Sequence, residues 1–302
     1  MHGSNAEILR DYADESHPRT LCTFRWPVFS ILDPHHVVAL DDSGSSTATA
    51  IIELPSARVF DLGVAGNVDA IAPDFSQVLW YSTGNPPVLQ DTWKTGSTTI
   101  QVYPELSGLC GIEPVAGAFS RDARYGFAVW LQGAAYLNIV DASTHQGVLA
   151  IKPPASGQWP PFQGPEMPLW DPVSDQLFWT QGGVIKTWTP SDGTSTLRTG
   201  LTWSWPTMSP DGTHLAYILS DSSGNGTVWL LNPQTGASQG KIGTGTQAMF
   251  LTKDWIWVKN NTGGCGPQSP ATYIYDLRDH TTTASSLDWV YATWPATSAL
   301  GG

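Results

Sequence analysis

Charge is what this sequence has least of: Asp, Glu, Lys and Arg make up 13% of its 302 residues, about half the usual 25%. The basic side is the poorer, with 14 Lys and Arg against 26 Asp and Glu and a formal net charge of -12. No basic run is present that would track phosphates, so nucleic acid and anionic membrane surfaces are not expected partners. A cation, a neutral polymer or a basic protein surface stays compatible. No apolar stretch approaches the roughly 18 residues that cross a bilayer as a helix. Residues 1–20 also lack the basic start and apolar centre of a signal peptide. Three cysteines, Cys22, Cys110 and Cys265, show no CxxC or metal-type spacing, and their odd number leaves at least one unpaired. Three free thiols are expected, with a single Cys22–Cys265 disulfide as the alternative. Catalytic signatures are missing too: there is no Gly-x-Ser-x-Gly elbow, no His-Glu-x-x-His and no phosphate-cradling glycine loop.

What is present is turn chemistry and aromatics: Gly 30, Pro 23 and Trp 15, with Ser and Thr filling many polar positions. This is the profile of a turn-rich β protein. The length leaves one or two domains open, since closed all-β folds often run long as one unit. Self-similarity settles the organisation. Met208-Ser-Pro-Asp-Gly-Thr-His-Leu-Ala-Tyr-Ile218 reads as strand, tight turn, strand, and Thr227-Val-Trp-Leu-Leu-Asn-Pro-Gln-Thr-Gly236 as strand and hairpin turn. The first half recurs at Ile71–Tyr81 and Phe119–Val129, and more weakly at Phe29–Ala39, Leu169–Trp179 and Phe250–Trp257. The second half recurs at 48–55, 88–96, 135–147, 184–193 and 272–280, each copy followed by a short fourth strand such as 58–62, 98–103 or 148–152. Four short strands in about 40 residues is the unit of a propeller blade. One helix is expected, over Ala6 to Asp14, outside the repeats.

The Ser209-Pro-Asp-Gly212 turn with its apolar-aromatic strand, and the strand and turn from Trp229 to Gly236, resemble the TolB-like propeller repeat family. The resemblance extends in diluted form from about Trp26 to Trp294. It implies an all-β, six-bladed propeller of four-stranded antiparallel blades near 25–62, 67–104, 114–152, 166–199, 203–242 and 246–294, within a domain spanning 21–302 after an extension over 1–20. The alternative is seven blades, one of them composite and built from both termini, with Thr20–Phe24 and Asp288–Trp294 as its sources. Such repeats specify fold well and function poorly, because the family's blades occur in periplasmic adaptors, peptidase accessory domains and sensor ectodomains.

In a propeller the first strand, a, lines the channel, so the d–a connections and b–c turns open on one face and the a–b and c–d turns on the other. Trp80, Trp179 and Trp257 recur at one point of strand b, and Trp93, Trp188 and Trp229 within strand c. All six are expected in the packing between blades. Trp159 and Phe162 differ, lying in the longest connection, 151–168, where prolines would hold them in place. Trp203 and Trp205 enter a strand a on the same face. Asp69, Glu113 and Glu166, with Asp288, precede channel strands and form a loose acidic set suited to a cation or basic side chain. The histidines (His35, His36, His145, His214, His280) sort mainly to the opposite face as solvated turn residues, and no metal site is expected.

These readings converge on a non-catalytic, monomeric, extracytoplasmic sensor, adaptor or accessory module. It would recognise a protein or glycan with Trp159, Phe162, Trp203, Trp205, Asp69, Glu113 and Glu166 on the d–a/b–c face, and no cofactor is expected. The alternative is a hydrolase or lyase in which Asp69, Glu113 or Glu166 serves as acid or base.

Overall fold

A computed structural model describes residues 7–11, 19–24, 28–33, 36–41, 48–53, 58–61, 67–72, 77–81, 88–91, 100–101, 113–131, 135–152, 164–221, 226–260 and 271–285. Side chains are described for Ala72, Gln77, 118–126 and 137–152, and for all but Ala271 of the last three stretches. Every regular element among them is a β-strand. The chain divides into two compact units, 1–132 with 138–150, and 133–137 with 151–302.

The first unit opens with a hairpin of β1 (Glu7–Asp11) and β2 (Arg19–Phe24), in which Leu9 faces Cys22. Where a helix was expected, over Ala6 to Asp14, a strand therefore forms. The window Glu7-Ile-Leu-Arg-Asp11 is too short for its period to decide between helix and strand, and pairing with β2 supplies the hydrogen bonds a lone helical turn would lack. Asp288–Trp294 and Cys265, on which the composite blade and the disulfide depend, lie outside the described residues. Two sheets follow in meander order: β3 (Val28–Asp33), β4 (His36–Asp41), β5 (Ala48–Glu53) and β6 (Arg58–Asp61), then β7 (Asn67–Ile71), β8 (Gln77–Tyr81), β9 (Val88–Asp91) and β10 (Ile100–Gln101). A third contains β11 (Glu113–Phe119), β12 (Tyr125–Leu131), β13 (Ala135–Asp141) and β14 (Gln146–Ile151). Gln77 stitches two of these sheets together, its Nε2 donating to the Ala142 carbonyl at 2.9 Å and lying 3.3 Å from His145 Nε2.

The second unit repeats the plan three times. Its sheets are β15 (Pro165–Trp170), β16 (Leu177–Gln181), β17 (Val184–Thr189) and β18 (Gly193–Thr199); β19 (Ser204–Met208), β20 (Leu215–Ser220), β21 (Gly226–Leu231) and β22 (Ser238–Thr244); and β23 (Gln247–Phe250), β24 (Trp255–Asn260), β25 (Ala271–Asp276) and β26 (Thr281–Ala284). Among the described residues there are thus six four-stranded antiparallel sheets and one hairpin. The first strands β15, β19 and β23 lie side by side in chain order.

Why β20 reads as a nearly continuous apolar run, Leu-Ala-Tyr-Ile-Leu, follows from its two covered faces. Leu215 and Tyr217 point into one buried cluster with Phe178, Ile185, Leu201 and Trp203. Ala216 and Ile218 point the other way, into a second cluster with Phe250, Ile256 and Val258. Trp179, Trp257 and Trp188 are buried as expected for packing between sheets, and Trp229 packs against the first cluster from a partly exposed position. Trp170 and Trp188 meet edge to face, with centroids 6.2 Å apart. Truncating any fully buried Trp to Ala in such a core costs about 3–5 kcal/mol. The fourth strands are the reverse: β26 is Thr-Thr-Thr-Ala and exposed throughout. Thr tolerates an exposed pleated edge without offering an apolar one.

The turn that carries the repeat is closed the same way in successive sheets. The amide of its first residue donates to the carbonyl five positions on: Ala72 to Gln77, Ser120 to Tyr125, Asp171 to Gln176 and Ser209 to His214, at 2.7–2.9 Å. The side chains complete it. Ser209 Oγ donates to Asp211 Oδ1 (2.7 Å) and accepts from the Thr213 and His214 amides, and Ser120 stands likewise toward Asp122 and the Tyr125 amide. Gly212 has φ +68, and a Cβ there would lie 2.7 Å from Val173 Cγ2 and 2.9 Å from Asp171 Oδ1. Only glycine satisfies both constraints without strain.

Candidate functional site

At the opposite ends of the same strands the regularity breaks. In β15, Glu166 faces Thr180 and Leu169 faces Phe178, so Met167 and Pro168 share the one partner Trp179. In β19, Ser204 faces Ile218 and Thr207 faces Ala216, so Trp205 and Pro206 share Tyr217. β15 and β19 thus carry a β-bulge at the equivalent place. β3, β7 and β11 of the first unit show the same shift, between Val28 and Ser30, Val68 and Ala70, and Pro114 and Ala116. β23 is regular. Bulges re-aim side chains and are enriched beside active sites.

Both bulges of the second unit are strained. Met167 has φ +47 and Trp205 φ +48, in the left-handed region that costs a non-glycine residue about 1–2 kcal/mol. Each also precedes a proline, which normally holds its predecessor in the extended region at negative φ. The two side chains are nonetheless among the most exposed large apolar groups described, Met167 at 44% and Trp205 at 54%. Strain borne by exposed apolar side chains gives the core nothing, and residues held this way cluster at functional sites.

Glu166 sits beside this pair, half-buried, with no hydrogen-bond or ion-pair partner among the described residues. Burial raises its carboxyl above the ordinary value. The carboxylates at the turn end behave in the opposite way. Against the upward push of desolvation, hydrogen bonds from the Ser209 hydroxyl and from the Thr213 hydroxyl and amide hold Asp211 below its ordinary value. Thr180, facing Glu166 across the ladder, has a buried hydroxyl that no described group satisfies, and the buried Trp203 indole N–H is equally unpartnered.

The expected site residues thus fall in different places. Trp205 is exposed on the bulge. Trp203, two residues before it, is 1% exposed and packs 6.5 Å from the Tyr217 ring, so it supports the patch from within the core. Glu166 adjoins the β15 bulge, Asp69 is itself the extra residue of the β7 bulge, and Glu113 opens β11. The last two belong to the first unit, and Trp159 and Phe162 lie outside the described residues. Met167 escaped the sequence reading. Its signal was there, because a proline inside a strand is confined to an edge or a bulge, and Met167-Pro168 and Trp205-Pro206 occupy the same point of the repeat. Among the described residues no group of His, Cys, Asp and Glu is arranged to hold a metal ion.

No family model matches the sequence, and no curated protein is similar to it. Solved structures are. An oligogalacturonate lyase in complex with manganese is 12% identical with a TM-score of 0.61, over 92% of this chain and 83% of that one. A prolyl endopeptidase is 11% identical with a TM-score of 0.64, over 93% of this chain and 46% of its own. TolB from Acinetobacter baumannii is 14% identical over 93% of this chain and 63% of its own, at a TM-score of 0.47. At such identities the likeness speaks to fold alone. With the meandering four-stranded sheets it makes this chain an all-β protein of the propeller class. The expected propeller class is thus borne out, and no family model places the chain in a family within it.

Proposed function

We propose that this protein is a non-catalytic binding module, extracytoplasmic in setting, that recognises a protein or glycan on the side of its sheets where the d–a connections and b–c turns lie. One observation carries the reading: Trp205 and Met167 are held outward on strained backbone at equivalent bulges of neighbouring first strands. A rigid aromatic offers large contact area at low entropy cost, which is the property of a binding anchor. Trp159 and Phe162, in the connection 151–168, are proposed as further anchors, and in the first unit Asp69 and Glu113 are proposed as acidic groups on their own first strands.

A second reading draws on Glu166. A half-buried carboxyl with its proton affinity raised suits a general acid, and a lyase and an endopeptidase share the fold. General acid–base cleavage of a glycan commonly needs a second carboxylate at a defined separation, and among the described side chains Glu166 has none beside it. The binding reading therefore stands first. Screening wild type and the Met167→Ala, Trp205→Ala double variant on glycan and peptide arrays tests it. The ligands that wild type retains are expected to be lost in the variant with thermal stability preserved, and unchanged retention overturns the assignment of this patch.

A further inference from the structure

The binding reading leaves the chemistry of the ligand open, and the charge arrangement of the same patch narrows it. Glu166 and Met167 on β15 stand at the register positions of Ser204 and Trp205 on β19, its neighbour. Face-packed sheets lie about 10 Å apart, which is within the reach of one long side chain. The register therefore sets an acidic residue, a methionine and a tryptophan at adjoining positions of two neighbouring strands.

Resting on that binding reading, we propose that the patch receives a cationic side chain of a peptide or protein partner, an alkylammonium or guanidinium group set against the Glu166 carboxylate and the Trp205 ring. Several observations favour a cation over a neutral sugar. A half-buried carboxylate without a partner is costly, and a positive charge is what offsets the cost most. Charge-assisted hydrogen bonds are about twice as strong as neutral ones. The exposed face of Trp is the best aromatic surface for a cation, and an unbranched methionine packs well along a methylene stem.

The protein does not supply the cation itself from these strands. No Lys or Arg of the second unit lies on β15, β19 or β23. Arg198 is engaged with the Gly236 carbonyl at 2.8 Å, Lys186 with Thr196 at 2.9 Å, and Arg278 with Asp276 at 2.8 Å, all on other strands or turns. A net charge of -12 adds a long-range field that draws basic partners in.

The test uses the full chain and calorimetric titration with short capped peptides containing Arg or Lys. Their neutral counterparts, citrulline and acetyl-lysine, and a neutral glucan oligosaccharide serve as the other arms. The cationic peptides are expected to bind, and the neutral counterparts to bind about tenfold more weakly or not at all; Glu166→Gln and Trp205→Ala should each cost about tenfold, with affinity falling as salt rises. Equal binding of citrulline and arginine peptides, or full affinity in Glu166→Gln, overturns the inference. A bound oligosaccharide lost in Trp205→Ala but indifferent to Glu166→Gln overturns it too, while leaving the binding face standing. If no probe binds and the array ligands are indifferent to Trp205→Ala, both readings fall.

Discussion

The two ends of the first strands in the second unit are built on opposite terms. Where β19 turns into β20, Ser209, Asp211, Thr213 and Gly212 satisfy one another within six residues, and Asp211 is held ionised by the donors around it. At the other end of β19, Trp205 is strained and exposed, and among the described residues neither the buried Trp203 N–H nor the half-buried Glu166 carboxyl on β15 has a partner. The closed end recurs from sheet to sheet with small changes of sequence. In β7, β15 and β19 the open end keeps its bulge and changes its residue, from Val68 to Met167 and Trp205. A repeat can vary freely only where it is not needed for closure, which is why the proposed binding surface is set at the variable end.

Breaking the closed end should have the largest effect. Gly212→Val combines a β-branched residue at φ +68 with a Cβ too close to Val173 and Asp171, and about 2–4 kcal/mol of stability should be lost. Chemical denaturation checks this, and a variant as stable as wild type would show that the turn is not the constraint described.

Most of the closed end was legible in the sequence and little of the open end was. Ser209-Pro-Asp-Gly212 is local chemistry: its hydrogen bonds join residues within five positions, so a reader of the chain can see them. The strands beyond it announce themselves by apolar runs, and 208–218 and 227–236 became β19 to β21 with their turns. A bulge is a relation between two strands, and no period-2 pattern in β15 or β19 reveals it. Trp203 and Trp205 looked alike for this reason, as two aromatics of like spacing entering one strand. The bulge at Trp205 and Pro206, together with packing against Tyr217, sends one into the core and the other to solvent. The segment at Glu7–Asp11 was misread because its partner, Arg19–Phe24, decides its state and its own composition does not.

Sharpening the contrast at the carboxylates calls for a smaller effect. Because burial raises the Glu166 carboxyl, the folded protein favours its protonated form. Its contribution to stability is present at acid pH and lost as pH rises through the folded value. Glu166→Gln should therefore raise the melting temperature at pH about 7 and leave it unchanged near pH 3, where both side chains are neutral. An equal shift at both pH values would place the effect in packing and not in charge.

The measurement that bears most directly on the open end is Trp205→Gly, read for stability and binding in one preparation. Glycine adopts positive φ freely, which offsets most of what a flexible residue costs in the unfolded chain. The melting temperature should therefore stay the same or rise while ligand binding is lost, as expected where strain is kept for function. A fall in melting temperature with binding intact would contradict the account, because Trp205 would then be serving the fold.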